Sequence, residues 1–256
     1  MPNPFPSRSG SSNCALPDPG EIHLWHIQLD EGPEALEDCR KVLDDVEKAR
    51  AARFIRAVHG DRFIVGRGRL RMLLASYLKR LPEDLIFVYN EQGKPSIEGP
   101  GDVSPFSFNL SHSVGLALCA VAGFETVGVD VEACRETRDL MPIARRFFSA
   151  DEQAQLSALP EDRQCAAFYQ CWSSKEALLK AWGTGLATPL DRFTVRVAPG
   201  HAAVIAIDIP EWNRQPWQLY PVNVPCGYAA AVAVPGTPHR LRARHWPGLQ
   251  EAEAGG

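Results

Sequence analysis

Thr126-Val127-Gly128-Val129-Asp130-Val131-Glu132 is the stretch on which the reading of this chain turns. Valines alternate with small or acidic residues, and alternate residues of a strand share a face. Val127, Val129 and Val131 therefore face a core, while Gly128, Asp130 and Glu132 share the opposite face. Two carboxylates side by side repel each other unless something positive lies between them. Hard oxygen ligands of this kind suit Mg²⁺, which keeps waters and bridges to substrate phosphates. An isolated Asp-x-Glu, however, reads more often as the solvent-exposed end of a strand.

Downstream lies CWSSKEALLKAWGTGL (171–186), the end of a long helix expected over about 161–182. Trp172, Glu176 and Lys180 are spaced by four and line one side of it. Taken alone, Glu176 and Lys180 read as an ordinary intrahelical pair. Trp172 and Trp182 put that pair at the edge of a core, where a carboxylate gains from a metal or a cation. Ser149-x-x-Glu152 is a capping box that starts a helix over 150–159. Upstream, FNLSHSVG (108–115) places Asn109, Ser111 and His112 at a strand end. The hydroxyl and the imidazole are both able to donate to a phosphate, though a lone histidine here reads more often as a satisfied turn residue. In QGKP (92–95), Gly93 makes a turn, Pro95 stiffens its exit, and Lys94 projects as a point charge. Arg50, Arg53, Arg62, Arg67, Arg69 and Arg71 offer a further anion site or, for most of them, a solvated helix face.

Around these motifs, EIHLWHIQLD (21–30) reads as a strand with Trp25, Ile27 and Leu29 on one face. DCRKVLDDVEKARAARFI (38–55) reads as one helix with Val42, Val46, Arg53 and Phe54 at helical spacing. DRFIVGRGRLRMLLASYLKRL (61–81) reads as a second, with Phe63, Leu70, Leu74, Tyr77 and Leu81 as its buried stripe. Gly66 and Gly68 inside it point to close packing, at a propensity cost of about 1 kcal/mol each. Residues 193–208 and 217–234 are β-rich. The expected class is α+β, with two closely packed segments that each mix strands with one long helix and divide near 122–125. Residues 21–122 form the first and 123–246 the second; 1–20 and 247–256 read as disordered tails.

Composition sets the outer limits. Of 256 residues, 45% are hydrophobic and 23% charged, as in an ordinary globular protein. A net charge of −4 argues against a general nucleic-acid-binding surface. No apolar run approaches a membrane span or a signal-peptide core. Seven scattered cysteines without Cys-x-x-Cys suggest neither a disulfide framework nor a zinc site, which places the chain in the cytoplasm.

Taken in order, QGKP, FNLSHS, VGVDVE, RFFSADE (146–152) and WSSKEALLKAWGTGL resemble the Sfp-type 4′-phosphopantetheinyl transferases over about residues 45–195. Gly-x-Asp-x-Glu (128–132) followed by Trp-x-x-Lys-Glu-Ala (172–177) is the specific combination. The length resembles the larger members, in which one chain supplies both halves of the site. The resemblance implies two similar α/β subdomains packed with pseudo-two-fold symmetry around an interfacial active site. It implies transfer of the 4′-phosphopantetheine group of coenzyme A to a serine of an apo acyl or peptidyl carrier protein. Adenosine 3′,5′-bisphosphate is the other product, and the enzyme acts as a monomer. By the same resemblance Asp130, Glu132 and Glu176 hold Mg²⁺, Glu176 is the base and Lys180 steadies the leaving phosphate. Arg50, Gly93, Lys94, Pro95, Asn109, Ser111 and His112 fall to the coenzyme A side, with Arg53 and Arg62 as weaker candidates. Carrier contacts fall near Gly183 and over 135–165, with Arg138, Arg145 and Arg146 meeting acidic carrier helices. Many relatives have Gly-Lys-Gly-Leu where this chain has Gly183-Thr184-Gly185-Leu186, which puts carrier contact at that loop in doubt.

Overall fold

A computed structural model of the chain describes residues 14–98, 106–123, 126–135, 139–185 and 188–246. The elements in order are β1 (Glu21–Gln28), α1 (Pro33–Lys41), α2 (Asp45–Ala51), α3 (Ala57–Leu78), β2 (Phe87–Tyr89), β3 (Pro95–Ile97), β4 (Ser107–Ser113), β5 (Leu116–Ala122) and β6 (Gly128–Ala133). They continue with α4 (Met141–Phe147), α5 (Ala150–Ser157), α6 (Glu161–Trp182), β7 (Phe193–Val195), β8 (Val204–Ile207), β9 (Trp217–Pro221), β10 (Tyr228–Pro235) and β11 (Arg240–His245). The mixed α+β class is as expected. The tails 1–13 and 247–256, Arg138 and Leu186 lie outside the described residues. Of the segment 14–20, Pro17 is buried and Cys14 packs on the core.

Two main sheets carry the fold, in the orders β11-β1-β5-β4 and β6-β10-β9. Strict alternation gives each sheet two apolar faces. In β1, Trp25 and Ile27 join Leu70, Leu73 and Leu74 of α3 in one core. In β10, Ala229, Ala231 and Ala233 join Leu178 and Leu179 of α6 in another. The opposite faces meet each other: Ile22, Leu24 and Leu118 pack with Val129, Val131 and Val232. The layers therefore run helix, sheet, sheet, helix. Among the described residues no helix is long and apolar enough to cross a membrane.

The expected helix over 38–55 is two helices. Asp44 interrupts it, accepting from the Glu47 N–H at 2.8 Å while the Glu47 carboxylate accepts from the Asp44 N–H at 3.1 Å. This reciprocal box starts a new helix, and the expected stripe breaks up, with Val42 buried but Val46 78% exposed. α3 buries Leu70, Leu74 and Tyr77 as expected, but it ends at Leu78, which leaves Leu81 exposed. A Cβ on Gly68 would overlap Cys39 of α1, so the glycine there permits helix contact. β11 was not expected. It runs parallel to β1, in register from Glu21↔Arg240 to His26↔His245, and so joins the sheet of the first half of the chain.

The β4–β5 turn contains Val114 at φ 54°, with 43% of it exposed. A β-branched residue in the left-handed region stores about 1–3 kcal/mol of strain. Val114→Gly is expected to raise the melting temperature by a few degrees, since relief of strain exceeds the added chain entropy of about 0.5–1 kcal/mol. Differential scanning calorimetry checks this; an unchanged or lower midpoint would show that the turn is not strained.

Candidate active site

The edge strands of the two sheets, β4 and β6, lie side by side without a backbone ladder. Side chains bridge them instead. Asn109 Oδ1 accepts from the Val129 N–H at 2.9 Å, Ser111 Oγ from Val131 at 3.3 Å, and Ser113 Oγ from Ala133 at 3.0 Å. Buried N–H donors must find acceptors, and here alternate residues of one strand supply them to alternate residues of the next.

Across this seam stands α6. A Cβ on Gly128 would overlap the backbone of Ala177 and Ala181, so only glycine lets the helix lie this close to β6. The approach puts Asp130 under Lys180. The Lys180 ammonium donates to Asp130 Oδ1 at 2.6 Å and to Ser111 Oγ at 2.9 Å, and the Ser111 hydroxyl donates to the same Oδ1 at 2.9 Å. Asp130 is buried, and its Oδ2 has no hydrogen-bond partner. Ser113 donates to Glu132 Oε2 at 3.1 Å.

The electrostatics tie Glu176 to the same cluster. Burial, reinforced by the charges of Asp130 and Glu132, pushes its carboxyl up to about 7 against the opposing pull of Lys180. Burial and Asp130 also raise Glu132. Three carboxylates that repel one another beside one lysine are short of positive charge. That shortage, with the orphaned buried Oδ2, fits a hard divalent cation. Among the described residues no three histidine, cysteine, aspartate or glutamate side chains converge tightly enough to form a ready-made metal cage.

His112 reaches solvent beside the cluster. Loss of water around its ring holds its pKa below the usual imidazole value, and Lys180 and Arg50 push the same way while Asp130 opposes them. Arg50 is exposed and lies over the Phe63 ring at 5.1 Å. Arg53 is exposed as well, whereas Arg62 is held in a two-pronged pair with Asp30 at 2.6 and 2.8 Å. Arg67 and Arg71 pair with Glu47, and Arg69 pairs with Glu31, so most of the expected anion set serves the fold.

Lys94 occupies a different position from a free phosphate ligand. Its ammonium donates to Thr126 Oγ1 at 2.9 Å, Ala181 O at 2.9 Å and Val127 O at 3.3 Å. All three donors of an ammonium are thus taken by protein acceptors. Burial lowers its pKa to about 8. Gly93, at φ 83°, and Pro95 complete a turn folded around Asn90, whose side chain also donates to Gly183 O at 3.1 Å. The QGKP turn is therefore stapled to the end of α6. A cavity of about 230 Å³ opens beside Glu132, walled by Ser113, Arg135, Leu140, Phe168 and Trp172 among others.

Sequence reasoning passed over Lys175, Ser113 and Asn90. The Lys175 ammonium is fully buried against Glu152 Oε1 and Phe193 O, both at 2.6 Å, and Glu152 is the third-position partner of Ser149 in the capping box of α5. The signal for Ser113 was present: Asn109, Ser111 and Ser113 continue one polar alternation through β4.

Comparison with known proteins gives a class to this seam of carboxylates, lysine and histidine. Residues 126–233, which include β6, α6 and most of β10, match the model of the 4′-phosphopantetheinyl transferase superfamily. The chain is 39% identical to the 4′-phosphopantetheinyl transferase HetI of Nostoc sp. over 84% of its own length and 88% of that protein's. It is 32% identical to the 4′-phosphopantetheinyl transferase Sfp of Bacillus subtilis over 78% of its length and 80% of that protein's. A further relative from Bacillus subtilis, the 4′-phosphopantetheinyl transferase ffp, is 31% identical over 82% and 91% respectively. The chain belongs to the 4′-phosphopantetheinyl transferase superfamily.

Proposed function

We propose that this chain transfers the 4′-phosphopantetheine group of coenzyme A to a serine hydroxyl of an apo acyl or peptidyl carrier protein, releasing adenosine 3′,5′-bisphosphate. The carrying observation is the set of Asp130, Glu132, Glu176 and Lys180 gathered where β4, β6 and α6 meet. A module that only binds coenzyme A has no use for a carboxyl pushed up to about 7 beside two further carboxylates.

The serine oxygen attacks the pyrophosphate phosphorus nearer the pantetheine, and the bond to the bridging oxygen breaks. Glu176 is the residue placed to take the serine proton, and a bound cation would keep its carboxylate ionised and free to accept it. Lys180 steadies the departing phosphate. Asp130, Glu132 and Glu176 would hold Mg²⁺, which neutralises the pyrophosphate charge and polarises the attacked phosphorus. Arg50 and His112 serve the nucleotide end. Gly93, Lys94 and Pro95 act by shaping the wall of the site, and Asn109 and Ser111 by fixing the seam. The cavity beside Glu132 suits the pantetheine arm, and exposed Arg145 and Arg146 suit an acidic carrier helix.

In this reading residues 21–122, joined by β11, supply the nucleotide side and the rest of 123–246 the metal and catalytic helix, as two α/β subdomains related by a pseudo-two-fold axis. One cytoplasmic monomer is then complete. The test is product analysis by chromatography. Adenosine 3′,5′-bisphosphate is expected only when coenzyme A, Mg²⁺ and an apo carrier are all present. Nucleotide release without a carrier would overturn the reading in favour of a phosphohydrolase.

A pH dependence follows from Glu176. Its folded pKa of about 7 lies above its unfolded value, so its contribution to stability is complete below the unfolded pKa of about 4.3 and is lost as pH rises through 7. A bound cation reverses this by favouring the ionised form. The rise in melting temperature produced by Mg²⁺ is therefore expected to be small at pH 5.5 and several-fold larger at pH 8. An equal rise at both would separate Glu176 from the cation.

A further inference from the structure

The rungs that join β4 to β6 do not all end alike. Asn109 gives an oxygen to a backbone N–H. Ser111 and Ser113 do this too, but each hydroxyl also has a proton to place. Ser111 places it on Asp130 Oδ1, and Ser113 places it on Glu132 Oε2 at 3.1 Å. Each serine therefore grips both a carboxylate and the N–H of the residue that follows it. The strand across the seam sets the backbone position and the side-chain rotation of a carboxylate in one contact.

For Asp130 this grip is redundant, since Lys180 holds the same oxygen. Glu132 has one more rotatable bond and is only partly buried. Among the described residues, Ser113 donates the side-chain hydrogen bond that fixes it. Were the role of Ser113 only to satisfy the Ala133 N–H at a sheet edge, its proton would have no need to end on a carboxylate. We infer that Ser113 is a positioning residue, which holds Glu132 by one oxygen and so presents that carboxylate ready-oriented to the divalent cation. The inference rests on the assignment of Glu132 to the metal under the proposed function.

Partners of this kind orient a ligand before the metal arrives, and their loss costs about 10–100-fold in metal affinity. The test measures Mn²⁺ binding to the full chain with coenzyme A, by electron paramagnetic resonance of the free ion, without any turnover. Wild type, Ser113→Ala and Ser113→Thr are compared, with melting temperatures taken in parallel without metal. Ser113→Ala is expected to weaken Mn²⁺ binding at least 10-fold. Ser113→Thr keeps a hydroxyl and is expected to restore binding to within about threefold of wild type. In turnover, Ser113→Ala should need correspondingly more Mg²⁺ while its rate at saturating Mg²⁺ recovers. A Ser113→Ala protein with a lower melting temperature but unchanged Mn²⁺ affinity overturns the inference alone. A wild-type complex that binds no Mn²⁺ overturns the metal assignment, and the inference with it.

Discussion

Glu176→Gln is expected to lower the rate of transfer by at least about 10²-fold, and up to about 10⁴-fold, the usual range for a lost general base. Glutamine has nearly the same shape, so α6 and its packing on β6 survive. What is removed is a carboxyl that burial and two neighbouring carboxylates have brought to about 7. The variant loses a proton acceptor and one negative charge from the cation's surroundings. With Arg50 and His112 proposed to serve the nucleotide end, coenzyme A affinity should stay within a few-fold of wild type. Single-turnover kinetics with preloaded coenzyme A separate the two quantities. A variant that transfers within threefold of wild type would remove Glu176 from both roles.

Lys175→Met is expected to cost about 3–5 kcal/mol of stability, because it strands the Glu152 carboxylate without its cation. Neither side chain has measurable solvent exposure, and each pushes against burial: the lysine's pKa falls and the glutamate's rises. The Glu152 carboxylate also accepts from the Val195 N–H at 2.7 Å and the Ser149 N–H at 2.8 Å. It therefore ties α5, α6 and β7 together. For a chain of this size the loss corresponds to a fall of roughly 10 °C in melting temperature. Adding Glu152→Gln to Lys175→Met should recover part of the loss, since it removes the stranded charge, although only one of the two oxygens that accept from Val195 and Ser149 is kept. Denaturant titration of the three variants gives the comparison. Additive losses would mean that the two side chains do not act as a pair.

The contrast between Glu176 and Lys175 shows what a sequence displays. They are neighbours in one motif, and both motif and family were legible. The division of labour was not, because a single residue step, about 100° around the helix, sends Lys175 into the core and leaves Glu176 beside the seam carboxylates. The capping box of α5 was readable because its partners lie three residues apart. That Lys175 reaches the same Glu152 was not, since 23 residues separate them. β1, the strand at 126–132 and α6 showed in their periods of two and 3.6. β11 was passed over although RLRARH alternates arginines with Leu241 and Ala243: the run is short and arginine-rich, and its partner β1 lies more than 200 residues away. Lys94 was visible as a charge on a stiff turn. Only the fold brings Thr126, Val127 and Ala181 to it.

Transfer to a protein serine changes the intact mass of that protein, which reports it directly. An apo carrier incubated with the chain, coenzyme A and Mg²⁺ is predicted to gain the mass of one 4′-phosphopantetheine. The gain should vanish with chelator and with the acceptor serine replaced by alanine. A carrier whose mass never changes, across acyl and peptidyl carriers and with coenzyme A demonstrably bound, would contradict the account.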